Sequence, residues 1–164
     1  KKHETHASNG VVVKGIDDVL VRLSRCCNPV PGDEILGFVT RGRGVSVHRA
    51  DCPNAVDLKR EPERIIDVEW EGSPSAEQSY KVEITIEAID RLNLLLDVTR
   101  VISEAGANVL SCPTNSHRDG VVDMRYLFQI SDLSLIERTL KHLSEVEGLF
   151  EARRADPTNK IQSK

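Results

Sequence analysis

The chain has 164 residues and a formal net charge of −4, a length that suits two compact domains and an acidity that excludes phosphate binding by the whole surface. It contains neither the run of about 20 apolar residues that a membrane helix requires nor an apolar signal-peptide core, so we expect a cytoplasmic protein without a membrane partner. Because the sequence begins with lysine, we expect a fragment of a longer chain. Two of its four cysteines are adjacent, which favours metal or thiol chemistry.

The N-terminal half has the pattern of a small module of short strands. An RGRG segment, residues 41–44, predicts a hairpin tip because glycine supplies the unusual backbone angles of tight turns. Further on, Pro53 suits the first position of a short helix, which makes Cys52 its N-cap. The predicted strands lie at residues 10–15, 19–23, 34–40, 44–49 and 64–70.

Three cysteines and one histidine of this half follow the pattern C-C-x20-H-x3-C. The members are Cys26, Cys27, His48 and Cys52. Three thiols and one imidazole complete a closed zinc shell of the structural kind, and the two prolines after the cysteine pair predict a bend that turns both thiols to one side. Without a metal, the adjacent cysteines would be one buried and one exposed strand residue, and the histidine would only pack. The spacing leaves both interpretations open.

The C-terminal half alternates between strand and helix patterns. Residues that alternate between apolar and polar predict half-buried strands, and an Asp-Gly dipeptide predicts a hairpin turn between the second and third of them. Asn93 or Asp90 is available as the N-cap of the first helix, and Gly106 ends it. The order βαββαβ predicts a ferredoxin-like antiparallel sheet with two helices on one face. The segments lie at residues 80–88, 94–106, 107–116, 121–130, 131–143 and 148–154.

A polar segment, EGSPSAEQS at residues 71–79, separates the two halves. The sequence therefore predicts an α+β chain, in which a small mostly-β zinc-finger-like module precedes a ferredoxin-like βαββαβ domain. The predicted boundaries are a disordered N-terminal linker at 1–9, the module at 10–71, a linker at 72–79, the second domain at 80–155 and a disordered tail at 156–164.

Two long segments resemble a known family. GIDDVLVRLSRCCNPVPGDEILGFVTRGRGVSVHRADCPN, residues 15–54, closely resembles the zinc-finger, CC or ribosome-intersubunit domain of long RelA/SpoT-type (p)ppGpp synthetase/hydrolases. VEITIEAIDRLNLLLDVTRVISEAGANVL, residues 82–110, resembles the ACT domain that closes the same proteins. The match omits the hydrolase and synthetase domains. It therefore implies a non-catalytic regulatory fragment of a stringent-response enzyme, whose parent is a GTP pyrophosphokinase and (p)ppGpp hydrolase.

The resemblance implies a docking function. In that family this region places the enzyme on ribosomes that hold uncharged tRNA and restrains the catalytic domains of the same chain. The implied partners are thus ribosomal RNA, tRNA and those catalytic domains, and the implied cofactor is zinc on the four residues above. Arginines around the RGRG tip suit RNA phosphates, although they can equally form a solvated turn. The predicted RNA-binding residues are Arg41, Arg43 and Arg49.

The ACT resemblance implies an alternative function, the sensing of an amino acid where the first strand meets the first helix of a side-by-side homodimer. The resemblance to family members makes a branched-chain amino acid the first candidate. An amino acid suits this place physically, because helix amides receive a carboxylate and apolar neighbours hold the side chain. ACT loops commonly carry glycine where this chain has asparagine, so a dimerisation or docking sheet without ligand is the other interpretation. The residues predicted to bind the amino acid are Asp90, Arg91, Asn93, Leu94 and Leu110.

An enzyme has little support in the residues themselves. Cys27 and His48 can be paired as nucleophile and base, but a third organising group and a Gly-rich phosphate loop are missing from the sequence, and a zinc shell would consume both residues. We therefore expect no catalysis by this fragment. Cys112, the remaining cysteine, stands alone in a predicted strand and is expected in the core.

Overall fold

A computed structural model of the chain describes residues 9–16, 18–42, 44–72, 78–131 and 133–157. The contacts divide the chain into two compact units, one built from the N-terminal part up to Gln78 and the other from Ser79–Ala155. Most of the predicted linkers and the predicted tail lie outside the described residues. None of the described helices is long and apolar enough to span a membrane.

The first unit is a mostly-β module. Its larger sheet has the strand order β2-β4-β3-β5, in which β2 and β4 run parallel and the other pairs are antiparallel. Strands β1 and β6 form a separate antiparallel pair. The elements are β1 (Val11–Val13), β2 (Val21–Leu23), β3 (Ile35–Val39), β4 (Val45–Arg49), α1 (Pro53–Leu58), a 3-10 helix (Pro62–Arg64), β5 (Ile65–Ile66) and β6 (Val68–Trp70).

Valine dominates the core of this unit. Buried β-branched side chains pack well between pleated strands, which suits a module with few helical residues. Gly37 on β3 allows β6 to pack closely, because a Cβ there would lie 2.5 Å from a methyl group of Val68. The single strand predicted over residues 64–70 is divided in the structure, since β5 pairs with β3 while β6 pairs with β1. The buried residues of this core are Val11, Val13, Val21, Val45, Val47 and Val68.

The second unit confirms the predicted ferredoxin-like order. Its antiparallel sheet has the order β11-β7-β10-β8, and β9 pairs with β10 beyond β8. Together with the strand module, this unit confirms the predicted α+β fold class. The elements are β7 (Tyr80–Ile89), α2 (Leu94–Glu104), β8 (Asn108–Ser111), β9 (Thr114–Ser116), β10 (Val121–Ile130), α3 (Leu133–Leu143) and β11 (Leu149–Arg154).

Two local features of the second unit differ from the predictions. The strand predicted over residues 107–116 is interrupted at Cys112 and Pro113, where proline has no amide hydrogen to offer a neighbouring strand. Cys112 is consequently half-buried rather than part of the core. Asn93 occupies the N-cap position of α2, but its backbone is left-handed at φ 64° and its side chain makes no capping hydrogen bond.

Candidate metal centre and RNA-binding hairpin

The parallel pairing of β2 with β4 brings the four predicted metal ligands together. Cys26 and Cys27 lie in the turn that follows β2, whereas His48 is on β4 and Cys52 caps α1 just beyond that strand. In a parallel pair the two strands end at the same edge, so both segments emerge side by side. The amide of Ser24 donates to the carbonyl of Val47 at 2.9 Å and continues this pairing up to the cysteine turn.

The cysteine turn itself bends the chain sharply. The amide of Asn28 donates to the carbonyl of Ser24 at 2.9 Å, and Asn28 has the left-handed φ of 46° that asparagine tolerates better than most residues. This bend lets the adjacent side chains of Cys26 and Cys27 approach the same imidazole, which a straight strand would prevent.

The spacing between the ligand atoms matches a tetrahedral zinc shell. The Sγ of Cys26 lies 3.9 Å from that of Cys27, 3.6 Å from that of Cys52 and 3.4 Å from Nδ1 of His48. The ligand atoms of all four residues lie within 4.8 Å of one another. Zinc–sulfur and zinc–nitrogen bonds of about 2.3 and 2.0 Å give tetrahedron edges of about 3.8 Å between sulfurs and about 3.6 Å between sulfur and nitrogen. The cluster can hold a metal ion.

Burial and mutual hydrogen bonding give the thiols of this cluster different pKa values. The hydrogen bond with Cys27 lowers the pKa of Cys26 to about 3. The same interaction, followed by burial, raises the pKa of Cys27, and burial raises the pKa of Cys52. A divalent cation held by these residues would supply the charge that allows the thiols to ionise, and its binding would release their protons.

Two groups outside the predicted ligand set hold the cluster in place. The hydroxyl of Ser24 lies 3.0 Å from Nε2 of His48, on the side of the ring away from the sulfurs. The backbone amide of Arg49 donates to the Sγ of Cys27 at 3.3 Å. Contacts of this kind orient ligands and tune their basicity in metal sites. The donor set and its surroundings therefore fit a structural zinc ion.

The predicted RNA-binding hairpin is the connection between β3 and β4. Arg41 is exposed at its tip, and within the described part of the chain its side chain has no ion-pair partner. Gly44 closes the hairpin at φ 78°, where a Cβ would lie 2.1 Å from the carbonyl oxygen of Leu20. The amide and hydroxyl of Thr40 both donate to the carbonyl of Gly44, at 2.8 and 2.7 Å. Thr40 before the tip and Gly44 after it thus hold the backbone that presents Arg41.

The other two predicted RNA-binding arginines differ from Arg41. Arg43 lies outside the described residues. Arg49 lies at the other end of β4, and its guanidinium donates to both carboxylate oxygens of Asp51 at 2.9 and 2.6 Å. Only 14% of the Arg49 side chain is exposed, so it is engaged next to the cysteine cluster instead of free for phosphate.

The residues predicted to bind an amino acid surround the junction of β7 and α2, but two of them are already engaged. The guanidinium of Arg91 donates to the carbonyls of Glu147 and Leu92 and to the carboxylate of Asp97, each at 2.9 Å. Leu94 is buried in the core. The exposed members of the predicted set are Asp90, Asn93 and Leu110.

Comparison with protein families assigns both units. Residues 11–71 match the family model of the RelA/SpoT RIS domain, and residues 76–154 match that of the ACT domain. The chain is a RIS–ACT region of the RelA/SpoT family. The predicted resemblance is thereby confirmed, and each of the two matched segments falls on one of the compact units described above.

Relatives of this RIS–ACT region are long enzymes. A GTP pyrophosphokinase of Streptomyces coelicolor is 49% identical over 94% of this chain, and a bifunctional (p)ppGpp synthase/hydrolase RelA of Mycobacterium tuberculosis is 46% identical over 88% of it. The chain spans 18% and 19% of the length of these two relatives. Among solved structures, the ACT domain of a GTP pyrophosphokinase from Chlorobium tepidum is 21% identical, with 47% of this chain and 99% of that chain covered and a TM-score of 0.43.

Two functional features of the RIS–ACT region escaped the sequence analysis. Ser24 stands only two residues before the cysteine pair, yet its contact with His48 depends on the pairing of β2 with β4 and has no local signature. The Arg49–Asp51 ion pair did have a local signal, because opposite charges two residues apart follow a strand end where the chain turns. That signal argued against Arg49 as a free phosphate ligand.

Proposed function

We propose that this RIS–ACT region docks a RelA/SpoT enzyme on the ribosome, where it contacts ribosomal RNA and tRNA, and that it controls the catalytic domains of the same chain. The observation that carries the proposal is the exposed Arg41 on a hairpin tip whose backbone is fixed by Gly44 and Thr40. A guanidinium held on a rigid, narrow tip can approach a phosphate closely without a large ordering cost.

Other charges of the RIS unit are also available for contact with RNA. Arg22 on β2 and Arg25 in the cysteine turn are both exposed. RNA helices are recognised mainly through shape and backbone, for which scattered arginines suffice and base-specific contacts are not needed. Because the whole chain has a net charge of −4, such a basic patch covers only part of the surface.

We further propose that zinc on Cys26, Cys27, His48 and Cys52 braces this unit. The ion would join the turn after β2 to the segment from β4 to α1, at the end of β4 opposite the hairpin tip. A small β module with a thin core gains most from such a link. Zinc here has a structural role and supplies no reaction step.

Ribosome co-sedimentation tests the docking proposal. Arg41→Glu should weaken binding of the chain about tenfold at low salt, and Arg41→Glu combined with Arg43→Glu should weaken it further and flatten its salt dependence. Arg118→Glu, which changes an exposed arginine of the other unit by the same charge, is the matched control. Equal binding by the Arg41 variants and the control would remove the proposal.

The second candidate function is a branched-chain amino-acid sensor that works as an ACT homodimer. Leu95 and Leu96 are about half exposed at the start of α2, beside Asp90 and Asn93, which favours an additional apolar or dimer contact there. Calorimetry with valine, leucine and isoleucine should then show binding that Asp90→Ala reduces. If none of the three amino acids gives a binding heat, dimerisation remains as the role of this unit. Sedimentation equilibrium measures the dimer separately.

A further inference from the structure

Two sulfurs of the cysteine cluster lie close enough to be joined directly. The Sγ atoms of Cys26 and Cys52 are 3.6 Å apart, which is shorter than the 3.9 Å between those of Cys26 and Cys27. Since a disulfide bond is about 2 Å long, the two sulfurs must approach each other by only about 1.5 Å to form one. The bond would connect the turn after β2 to the residue before α1, two segments that are 26 positions apart in the sequence.

Cys26 is the member of this cluster that solvent reaches. Its side chain is half-buried, whereas Cys27 is only 5% exposed and Cys52 is fully buried. Reactive cysteines are partly exposed, and redox-sensing ones commonly have a second cysteine beside them that resolves the first oxidation product. A small oxidant from solvent therefore meets the Cys26 sulfur first, and the Cys52 sulfur is already next to it.

Cys27 is a poorer partner for Cys26 than Cys52 is. The backbone amide of Arg49 donates to the Sγ of Cys27 at 3.3 Å, and the thiol donates to the carbonyl of Ser24 at 3.9 Å, so two backbone groups hold this sulfur. The Cα atoms of adjacent residues lie about 3.8 Å apart, below the range of about 4.4–6.8 Å that disulfides adopt. A bond between the two neighbours would therefore be strained.

We propose that Cys26 is an oxidation site for hydroperoxides and that Cys52 is its resolving cysteine. The sulfur of Cys26 attacks one oxygen of hydrogen peroxide and the O–O bond breaks. The other oxygen leaves as water with the thiol proton, and Cys26 becomes a sulfenic acid. The sulfur of Cys52 then attacks that of Cys26, the S–O bond breaks, and the hydroxyl leaves as water with the proton of Cys52. Two thiols and one peroxide thus give one disulfide and two waters.

The disulfide and a metal ion exclude each other at this site. Cys26 and Cys52 contribute two of the four ligand atoms of the cluster, and sulfurs bonded to each other no longer offer the thiolates that a zinc shell requires. Oxidation would therefore replace a metal link between the two segments by a covalent one. The inference goes beyond the docking proposal and does not depend on it. Because it needs only the two sulfurs, it also does not depend on zinc binding.

Peptide mapping of the whole chain tests the inference. Trypsin separates the two cysteines, because Cys26 and Cys27 lie in the peptide 26–41 and Cys52 lies in the peptide 50–59. After chelation, stoichiometric hydrogen peroxide and alkylation of the remaining thiols, these peptides should be recovered linked, with a mass about 2 Da below their sum. Fragmentation should place the link on Cys26 and the alkyl group on Cys27. A link through Cys27, a bond within the peptide 26–41, or no link would overturn the inference.

The remaining cysteine and two variants make the test specific. Cys112 is the matched control, because it is also half-buried but has the hydroxyl of Thr114 beside its sulfur, and it should be recovered alkylated. Cys26→Ser should abolish the link and Cys27→Ser should retain it, and the fluorescence of Trp70 shows whether each variant is folded before oxidation. Loss of the link in a folded Cys27→Ser chain would contradict the inference.

Zinc binding supplies a second readout. The fully linked chain should no longer bind zinc in competition with a chromogenic chelator, and reduction with a dithiol should restore the thiols. Unchanged zinc affinity after complete linkage would overturn the exclusion of metal by the disulfide. A chain that forms the link but never binds zinc would support this inference while it removes the zinc proposal, so the two can fail separately.

Discussion

The side chains of Ser24 and His48 meet at 3.0 Å between the hydroxyl oxygen and Nε2, although 24 residues separate them in the sequence. The contact orients the imidazole so that Nδ1 faces the sulfurs, 3.4 Å from that of Cys26. If Nδ1 coordinated a cation, Nε2 would carry the proton and donate a hydrogen bond to the Ser24 oxygen. Ser24 therefore positions His48, a candidate ligand, and is itself outside the predicted ligand set.

Replacement of Ser24 by alanine should weaken zinc binding by about 10- to 100-fold, the usual effect of losing such an outer contact. Competition with a chromogenic chelator measures the affinity. Ser46→Ala, on the same strand as His48 but without a hydrogen bond to the ring, is the matched control. If both variants bind zinc equally well, Ser24 does not orient the imidazole.

Removal of a ligand or of the metal should distinguish the cysteines that bind zinc from the one that does not. We expect native mass spectrometry to show a single zinc ion that Cys52→Ala loses and that Cys112→Ala, in the other unit, retains. Chelation should lower the melting temperature of the RIS unit by about 10 °C, equivalent to roughly 2 kcal/mol for a unit of this size. Trp70, the single tryptophan of the chain, reports on that unit by fluorescence. A chelator that changes neither mass nor melting would contradict the zinc proposal.

The fold of the ACT unit could be predicted from sequence because its signals are local. Strict alternation along β7 and β10 and a helical repeat along α2 each fix an element without knowledge of its neighbours. The division of residues 64–70 into β5 and β6 could not be predicted, since an apolar run does not show which strand each half will pair with.

The candidate site was predictable only in part for the same reason. Sulfur and imidazole spacing identified the four residues that the structure brings together, because few other arrangements use that combination. Ser24 was not identifiable, since its role exists only once β2 lies parallel to β4.

Two glycines of the hairpin tip should respond differently to alanine. Gly44→Ala places a Cβ 2.1 Å from the Leu20 carbonyl oxygen, so the backbone must move, and we expect the free energy of unfolding to fall by at least about 3 kcal/mol. Gly42 also has a positive φ but faces open space, so Gly42→Ala should cost only about 1–2 kcal/mol. Urea unfolding followed through Trp70 measures both. Similar losses would show that the approach to Leu20 does not constrain the hairpin.

The hairpin between β9 and β10 contains a pH-dependent ion pair. Nε2 of His117 lies 2.5 Å from the carboxylate of Asp123. The hydrogen bond with Asp123 raises the pKa of His117 above its ordinary value of 6.5, and the charges of Asp123, Asp119 and Glu87 raise it further. Because the folded pKa is the higher one, the pair stabilises the hairpin fully below about pH 6.5 and this contribution is lost as the pH rises through the raised value.

An NMR titration of the His117 ring checks this dependence. The ring should titrate above pH 6.5 in the unmodified chain. Asp123→Asn should lower the midpoint, because it removes the carboxylate whose hydrogen bond contributes most to the raised pKa. Asp119→Asn should lower it less, since that carboxylate acts only through its charge. Both carboxylates are on the same hairpin, so the comparison separates the direct hydrogen bond from the general acidity of the surface. A midpoint that stays the same in all three chains would mean that His117 and Asp123 do not pair in solution.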